Sequence, residues 1–465
     1  MSNRLRNQLL KALLLCVLAA PGAAQDGQDR EIRDELAELR TLAQNLQARI
    51  DSLEKRLAPP AKEPAPAQDV PAAVAPSAPP ATAPGPVAGA LAGALAGTTV
   101  SIAIDGYYGY NFNAPIGRVN LLRAYDVSSN SFSLNQAGLV IENAPDPANG
   151  KRFGARLDLQ FGQATETLQG NPVNEPRPDI YRNIFQAYGT YVAPIGNGLT
   201  IDFGKWSSSI GIEGNYTKDQ VNYSRSFWFN YLPFYHMGLR TSYKVNDELA
   251  LNYWVDNGTN QTEAFNSFKD ELFGFNLQPS KTVSWTMNYY FGQEHPDVQY
   301  FPNGGAPPNA PEQQGVPFEP IRPALKGRLH IFDSYATWQS TAKLMLAIDA
   351  DWVIERDNPN SSPGETYGGA GYARYQFTPR MALGARAEYL NDRNGLFSAT
   401  PQSLKEGTVT ADYKFSEGFL MRFEWRRDLS NHNYFYTDTL GLLSNHQSTA
   451  TVGLVWWFGG KQGTW

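Results

Sequence analysis

TVTADYKFSEGFLMRFEWRRD, residues Thr408–Asp428, decides the fold. After a polar break at Ser416 and Glu417, Phe419, Met421, Phe423 and Trp425 share one parity, and Arg422, Glu424, Arg426 and Asp428 share the other. Successive strand residues point to opposite faces, so this strand has one apolar face and one charged face. The stretch before the break carries Asp412 and Lys414 on its inward parity. A soluble sandwich alternates in the same way, with the apolar face in its core. The signal peptide, strand number and the pattern of connections separate it from a membrane barrel.

Working outward, the alternation recurs: Phe153, Leu157, Leu159 and Phe161 lie against Arg152, Arg156, Asp158 and Gln160. Val283, Trp285, Met287, Tyr289 and Phe291 lie against Thr282, Ser284, Thr286 and Asn288. Sixteen such segments run from about residue 100 to 458, most with the ~9–11 residues that a tilted membrane strand needs. Tight turns at Ile195–Asn197, Asn246–Asp247, Ser280, Thr378–Pro379 and Ser416–Glu417 alternate with long polar loops, the longest being Gly292–Arg328. Short turns on one side and long loops on the other are the signature of a transmembrane β-barrel. The expected fold is all-β, a sixteen-stranded antiparallel barrel over 100–465. An even strand count places both barrel ends on the short-turn, periplasmic side.

Composition agrees. The chain has 24 Tyr, 24 Phe and 10 Trp, suited to interfacial girdles, and a formal charge of −6 that argues against nucleic acid as a partner. Its mean hydropathy of −0.42 is compatible with a barrel, because only alternate residues meet lipid.

Three segments precede the barrel. Residues 1–24 read as a cleaved signal peptide: Arg4, Arg6 and Lys11 flank an apolar core, and Gly22, Ala23 and Ala24 offer a small-residue cleavage site. The only cysteine, Cys16, lies in that core, so the mature chain has none. Residues 25–57 read as a periplasmic coiled coil. Ile32, Leu36, Leu39, Ala43, Leu46, Ile50, Leu53 and Leu57 recur at alternating spacings of 4 and 3, the 3.5-residue period of a self-associating seam. Residues 58–99 are a Pro/Ala-rich linker, with ten prolines between Pro59 and Pro86.

Inward parity assembles a wall of both signs. Arg152, Arg156, Arg182, Arg240, Lys244, Arg374, Arg386, Lys414, Arg422 and Arg426 are its bases. Asp158, Asp202, Asp349, Asp351, Glu388, Asp412, Glu424 and Asp428 are its acids. Charge on an inner wall implies water, and sixteen strands are wide enough for an aqueous channel. The plainer reading of each residue is a mutually paired wall charge. The third long loop, Ser208–Tyr235, is rich in aromatics and charge. It either folds into the lumen, making Glu213, Lys218, Asp219 and Arg225 constriction residues, or packs outward on the rim.

DGYYGYNFN (Asp105–Asn113), NSFSLNQAGL (Asn130–Leu139), RLDLQFGQ (Arg156–Gln163) and LTIDFGKWSSSIGIE (Leu199–Glu213) resemble the OmpL-like outer-membrane porins. The resemblance implies an outer-membrane barrel with a porin-like role, and the expected function is a channel passing ions and small hydrophilic solutes by diffusion, not an enzyme. A structural anchor is the alternative, its coiled coil reaching a periplasmic or cell-wall partner. Outer-membrane lipid and further copies of the chain, a trimer by analogy with porins, are the other expected partners. His236, His295, His330, His432 and His446 lack metal-ligand spacing or a nucleophile partner, so no metal, cofactor or catalytic set is expected.

Overall fold

The computed structural model describes residues 97–169, 175, 178–299, 319–321 and 323–461. The signal peptide, the heptad seam and nearly all of the linker lie outside the described residues.

The barrel strands are β1 (Thr98–Asn111), β2 (Ser131–Asn143), β3 (Phe153–Phe161), β4 (Ile184–Ala193), β5 (Leu199–Ser207), β6 (Tyr235–Lys244), β7 (Leu249–Asp256) and β8 (Asp270–Ser280). There follow β9 (Val283–Gly292), β10 (Leu329–Gln339), β11 (Leu344–Glu355), β12 (Gly364–Gln376), β13 (Met381–Asp392), β14 (Gln402–Ser416), β15 (Phe419–Ser430) and β16 (His446–Gly459). Each pairs antiparallel with its neighbours in sequence, and β1 closes on β16 in a register running from Ser101↔Gly459 to Asn111↔Thr449. Closure leaves no strand edge unpaired, as a bilayer core demands. All sixteen segments read from alternation are strands of this barrel.

Parity holds around the wall. On β15 Phe423 and Trp425 are about half exposed, while Arg422, Arg426 and Asp428 are fully buried. Outward aromatics gather into two belts. Near the short turns, the Phe415, Phe419 and Trp456 rings stack at 4.8 and 4.9 Å, and Phe153 stacks on Tyr191 at 4.8 Å. Near the long loops, Tyr108 meets Phe132 and Tyr289 meets Phe332. These are the positions where amphipathic rings suit a membrane–water interface.

The inner face changes character along its height. At the long-loop end the inward residues Leu329, Ile331, Val353, Leu390 and Leu404 are apolar and buried. They pack with Ile210, Phe227, Trp228 and Leu232, which come from the loop between β5 and β6. The core therefore lies inside the barrel, between wall and loops.

Candidate functional site

The loop 208–234 folds into the lumen, and its contacts trace a path across it. At its start the Gly211 amide donates to Asp333 on β10 at 3.0 Å, and Asn288 on β9 donates to the Ser209 carbonyl at 3.1 Å. On the opposite wall the Tyr216 hydroxyl donates to Asp158 on β3 at 2.9 Å. Thr217 and Tyr223 both donate to Asp105 on β1, at 2.5 and 2.7 Å. The amides of Tyr223 and Ser224 then donate to Glu424 on β15, at 2.6 and 3.0 Å. Finally the amides of Phe227 and Trp228 donate to Glu388 on β13, each at 2.9 Å.

Local sequence explains these turns. Ser226 caps the short helix Phe227–Tyr231 by accepting from the Phe229 amide. The first amides of that helix are left over from its own ladder, and Glu388 accepts them. The wall opposite is cut away to admit aromatics: a Cβ at Gly453 would lie 2.3 Å from the Tyr223 ring. A Cβ at Gly384 would lie 2.6 Å from the Val221 carbonyl.

The basic wall residues of β13 and β15 bind this loop. Arg386 pairs with Glu213 at 2.7 Å and donates to the Ser224 carbonyl at 2.9 Å. Arg422 donates to the carbonyls of Asn222 and Gln220, and Arg426 to that of Arg225. Arg225 is fully buried, donates to the carbonyls of Tyr223, Gly214 and Asn215, and lies over the Tyr125 ring. It braces the loop from within.

Lys218 and Asp219 sit in a single 3-10 turn (Thr217–Asp219) and pair at 2.7 Å. Burial pushes the Lys218 pKa below the ordinary lysine value, and the Asp219 carboxylate partly restores it. Burial first, and then the carboxylates of Asp158 and Asp105, hold the Tyr216 and Tyr223 hydroxyls protonated far above the usual phenol range. Both therefore act as permanent donors.

Beneath the loop, on the short-turn side, lies a cavity of about 320 Å³. Its charged lining is Lys218, Arg374, Arg380, Lys414, Arg422, Asp219 and Asp412, five bases against two acids. Arg374 and Arg422 share Asp412, and Lys414 pairs with Glu417 at the turn. Farther round the wall Arg240 pairs with Asp202 at 2.7 Å and is partly exposed, as are Thr190, Asn252 and Tyr335.

The sequence-expected residues thus separate into groups. Arg156, Asp158, Asp349, Asp351, Arg386, Glu388, Asp412, Arg422, Glu424, Arg426 and Asp428 face inward but are buried beneath the loops. Arg240, Arg374 and Lys414 border open space, and Lys244 pairs with Asp247 at an exposed turn. Arg152 lies just before β3 and donates to the Val192 carbonyl. Arg182 is corrected: it lies after the short helix Pro178–Tyr181, outside the wall, and pairs with Asp179. Asp105, Gln136 and Asp333 are loop anchors that the sequence reading missed, and Glu406 braces Arg386 from the wall. Their inward parity was the available signal.

A family described as "Putative beta-barrel porin-2, OmpL-like" matches residues 97–458. No curated protein sequence matches the chain. Among solved structures, the anion-selective porin of Comamonas acidovorans superposes with a TM-score of 0.50 at 8% identity, covering 78% of this chain and 99% of that one. The outer-membrane channel DcaP of Acinetobacter baumannii gives a TM-score of 0.48 at 11% identity, covering 78% and 97%.

Proposed function

The chain belongs to the OmpL-like β-barrel porin-2 family, and from that premise we propose that passage through this outer-membrane porin is set by the loop 208–234 and by the basic cavity beneath it. The observation that carries this reading is the loop's attachment to opposite walls, from Asp333 through Asp105 to Glu424 and Glu388. A solute entering from the short-turn side meets the cavity first and the loop next. Because the cavity lining has three more bases than acids, small anions are favoured over cations. Selectivity then comes from charge rings at a narrow passage, as in other channels. Glu213, Lys218, Asp219 and Arg225 belong to the constriction, with Glu213 and Arg225 holding its shape and Lys218, paired with Asp219, lining the cavity beneath it.

The heptad seam Ile32–Leu57 joins copies of the chain below the membrane, with a trimer as the preferred assembly. Reconstitution in a planar bilayer under a KCl gradient tests the reading. A chloride-directed reversal potential supports it, and a potassium-directed one refutes it.

A further inference from the structure

On the inner wall beside the start of the loop, Asp333, Asp349 and Asp351 bring carboxylate oxygens within 4.8 Å of one another. Asp333 on β10 and Asp351 on β11 are direct cross-strand partners, and Asp349 lies two residues before Asp351 on the same face. Like charges placed opposite one another destabilise a sheet. Here all three are buried, at 1, 2 and 4% exposure.

Their surroundings do not neutralise them. Asp333 accepts from the Gly211 amide and from Asn288. Asp349 Oδ1 and both oxygens of Asp351 are buried and receive no hydrogen bond from outside the trio, while Asp351 and Asp333 lie close enough to share a proton. Among the described residues no Lys or Arg pairs with any of the three. The Arg386 guanidinium is engaged by Glu213 and Glu406. Two further carboxylates, Glu213 and Glu388, lie within electrostatic reach of Asp349.

A second observation points to a ligand. Tyr372, on the adjacent strand β12, is 5% exposed, and its hydroxyl is buried without a partner. That hydroxyl lies within electrostatic reach of Asp349 and Glu213. A small cavity of about 20 Å³ beside the trio touches Asp349, Glu213 and Ile212 but not Asp333 or Asp351. A buried ionised carboxylate is very costly unless paired or bound to metal. Soft ligands are absent from the set, so zinc and copper are disfavoured. All-oxygen donors suit a hard cation, and calcium accepts about 6–8 oxygens in flexible geometry.

We propose that Asp333, Asp349 and Asp351 hold one calcium-class divalent cation, which clamps the first segment of the inward loop to β10 and β11. The clamp acts through Asp333, which already accepts from Gly211, and through Asp349, which faces the Ile212 amide. The sequence reading placed Asp349 and Asp351 among water-facing wall charges and expected no metal. The cation gives this cluster a role that wall stiffening does not explain. The inference rests on the loop's position in the lumen, not on conduction or its selectivity.

The experiment uses the full-length chain, folded in detergent, with Tb³⁺ as the probe. Tyr335 and Tyr372 on neighbouring strands serve as sensitisers. Wild type should show saturable terbium emission that calcium displaces, and should melt at a higher temperature in calcium than in chelator. The isosteric double variant D349N/D351N should lose both responses while keeping the heat-modifiable mobility of a folded barrel. The wild-type measurements decide even if that variant misfolds. Absence of saturable emission, together with identical melting in calcium and chelator, would overturn the proposal and leave shared protons to neutralise the carboxyls. Retention of calcium-displaceable emission by a folded D349N/D351N would overturn the assignment to these residues.

Discussion

Replacing Glu424 with Ala should release the middle of the inward loop and enlarge the conductance. Glu424 accepts from two loop amides, Tyr223 at 2.6 Å and Ser224 at 3.0 Å, and from the Thr410 hydroxyl on its own wall. Hydrogen bonds to a charged group contribute ~1.5–3 kcal/mol each, so the two loop bonds together hold the segment by roughly 3–6 kcal/mol. Each 1.4 kcal/mol is about a factor of ten in an equilibrium constant. The loosened loop should therefore populate its displaced form at least about a hundredfold more often. Adding E388A frees the Phe227 and Trp228 amides as well. Single-channel recording in planar bilayers reads the result as larger conductance and added open-channel noise. Limited proteolysis should then cut 208–234 in the variant and spare it in wild type. A folded E424A/E388A barrel with wild-type conductance and an uncut loop would refute the claim that these carboxylates hold a constriction.

Other perturbations bear on separate links. Because burial depresses the Lys218 pKa, raising pH should discharge this lysine before ordinary ones, and anion preference should fall as pH rises through that depressed value. K218M should begin with weaker anion preference and lack that step, as read from reversal potentials across pH. G453A should force the Tyr223 ring away from the wall and cost about 1–3 kcal/mol by overpacking, read in thermal unfolding. F423R places a charge on the lipid face and should cost ~2–4 kcal/mol near the midplane, read by refolding into vesicles. Deleting 25–57 should reduce the assembly to single barrels by light scattering while leaving unit conductance unchanged.

The barrel was legible because its determinants are local. A strand such as β15 declares both faces within its 12 residues, and turns such as Ser416–Glu417 declare which connections are short. Strand β4 began later than alternation suggested because Pro178 opens a short helix, carrying Arg182 off the wall. The direction of the loop 208–234 was not legible, since aromatics and charge suit either rim or lumen. What decides it is distant in sequence: Asp105 lies over a hundred residues before Thr217, and Glu424 about two hundred after Tyr223. The same distance explains the wall charges. Arg386, Arg422 and Arg426 read as facing water until the loop carbonyls that occupy them are placed. Parity identified inward residues, whereas loop packing decides which of them water reaches. Leu390 and Leu404 make the same point from the apolar side, since hydropathy alone does not distinguish a lipid contact from a loop contact.

The most direct test of the account is the reversal potential of the purified full-length protein in a planar bilayer under a tenfold KCl gradient. The account predicts discrete conductance steps, with a potential of the sign set by chloride that shrinks in K218M. A barrel that inserts and folds but does not conduct, or one whose potential has the potassium sign, would contradict it.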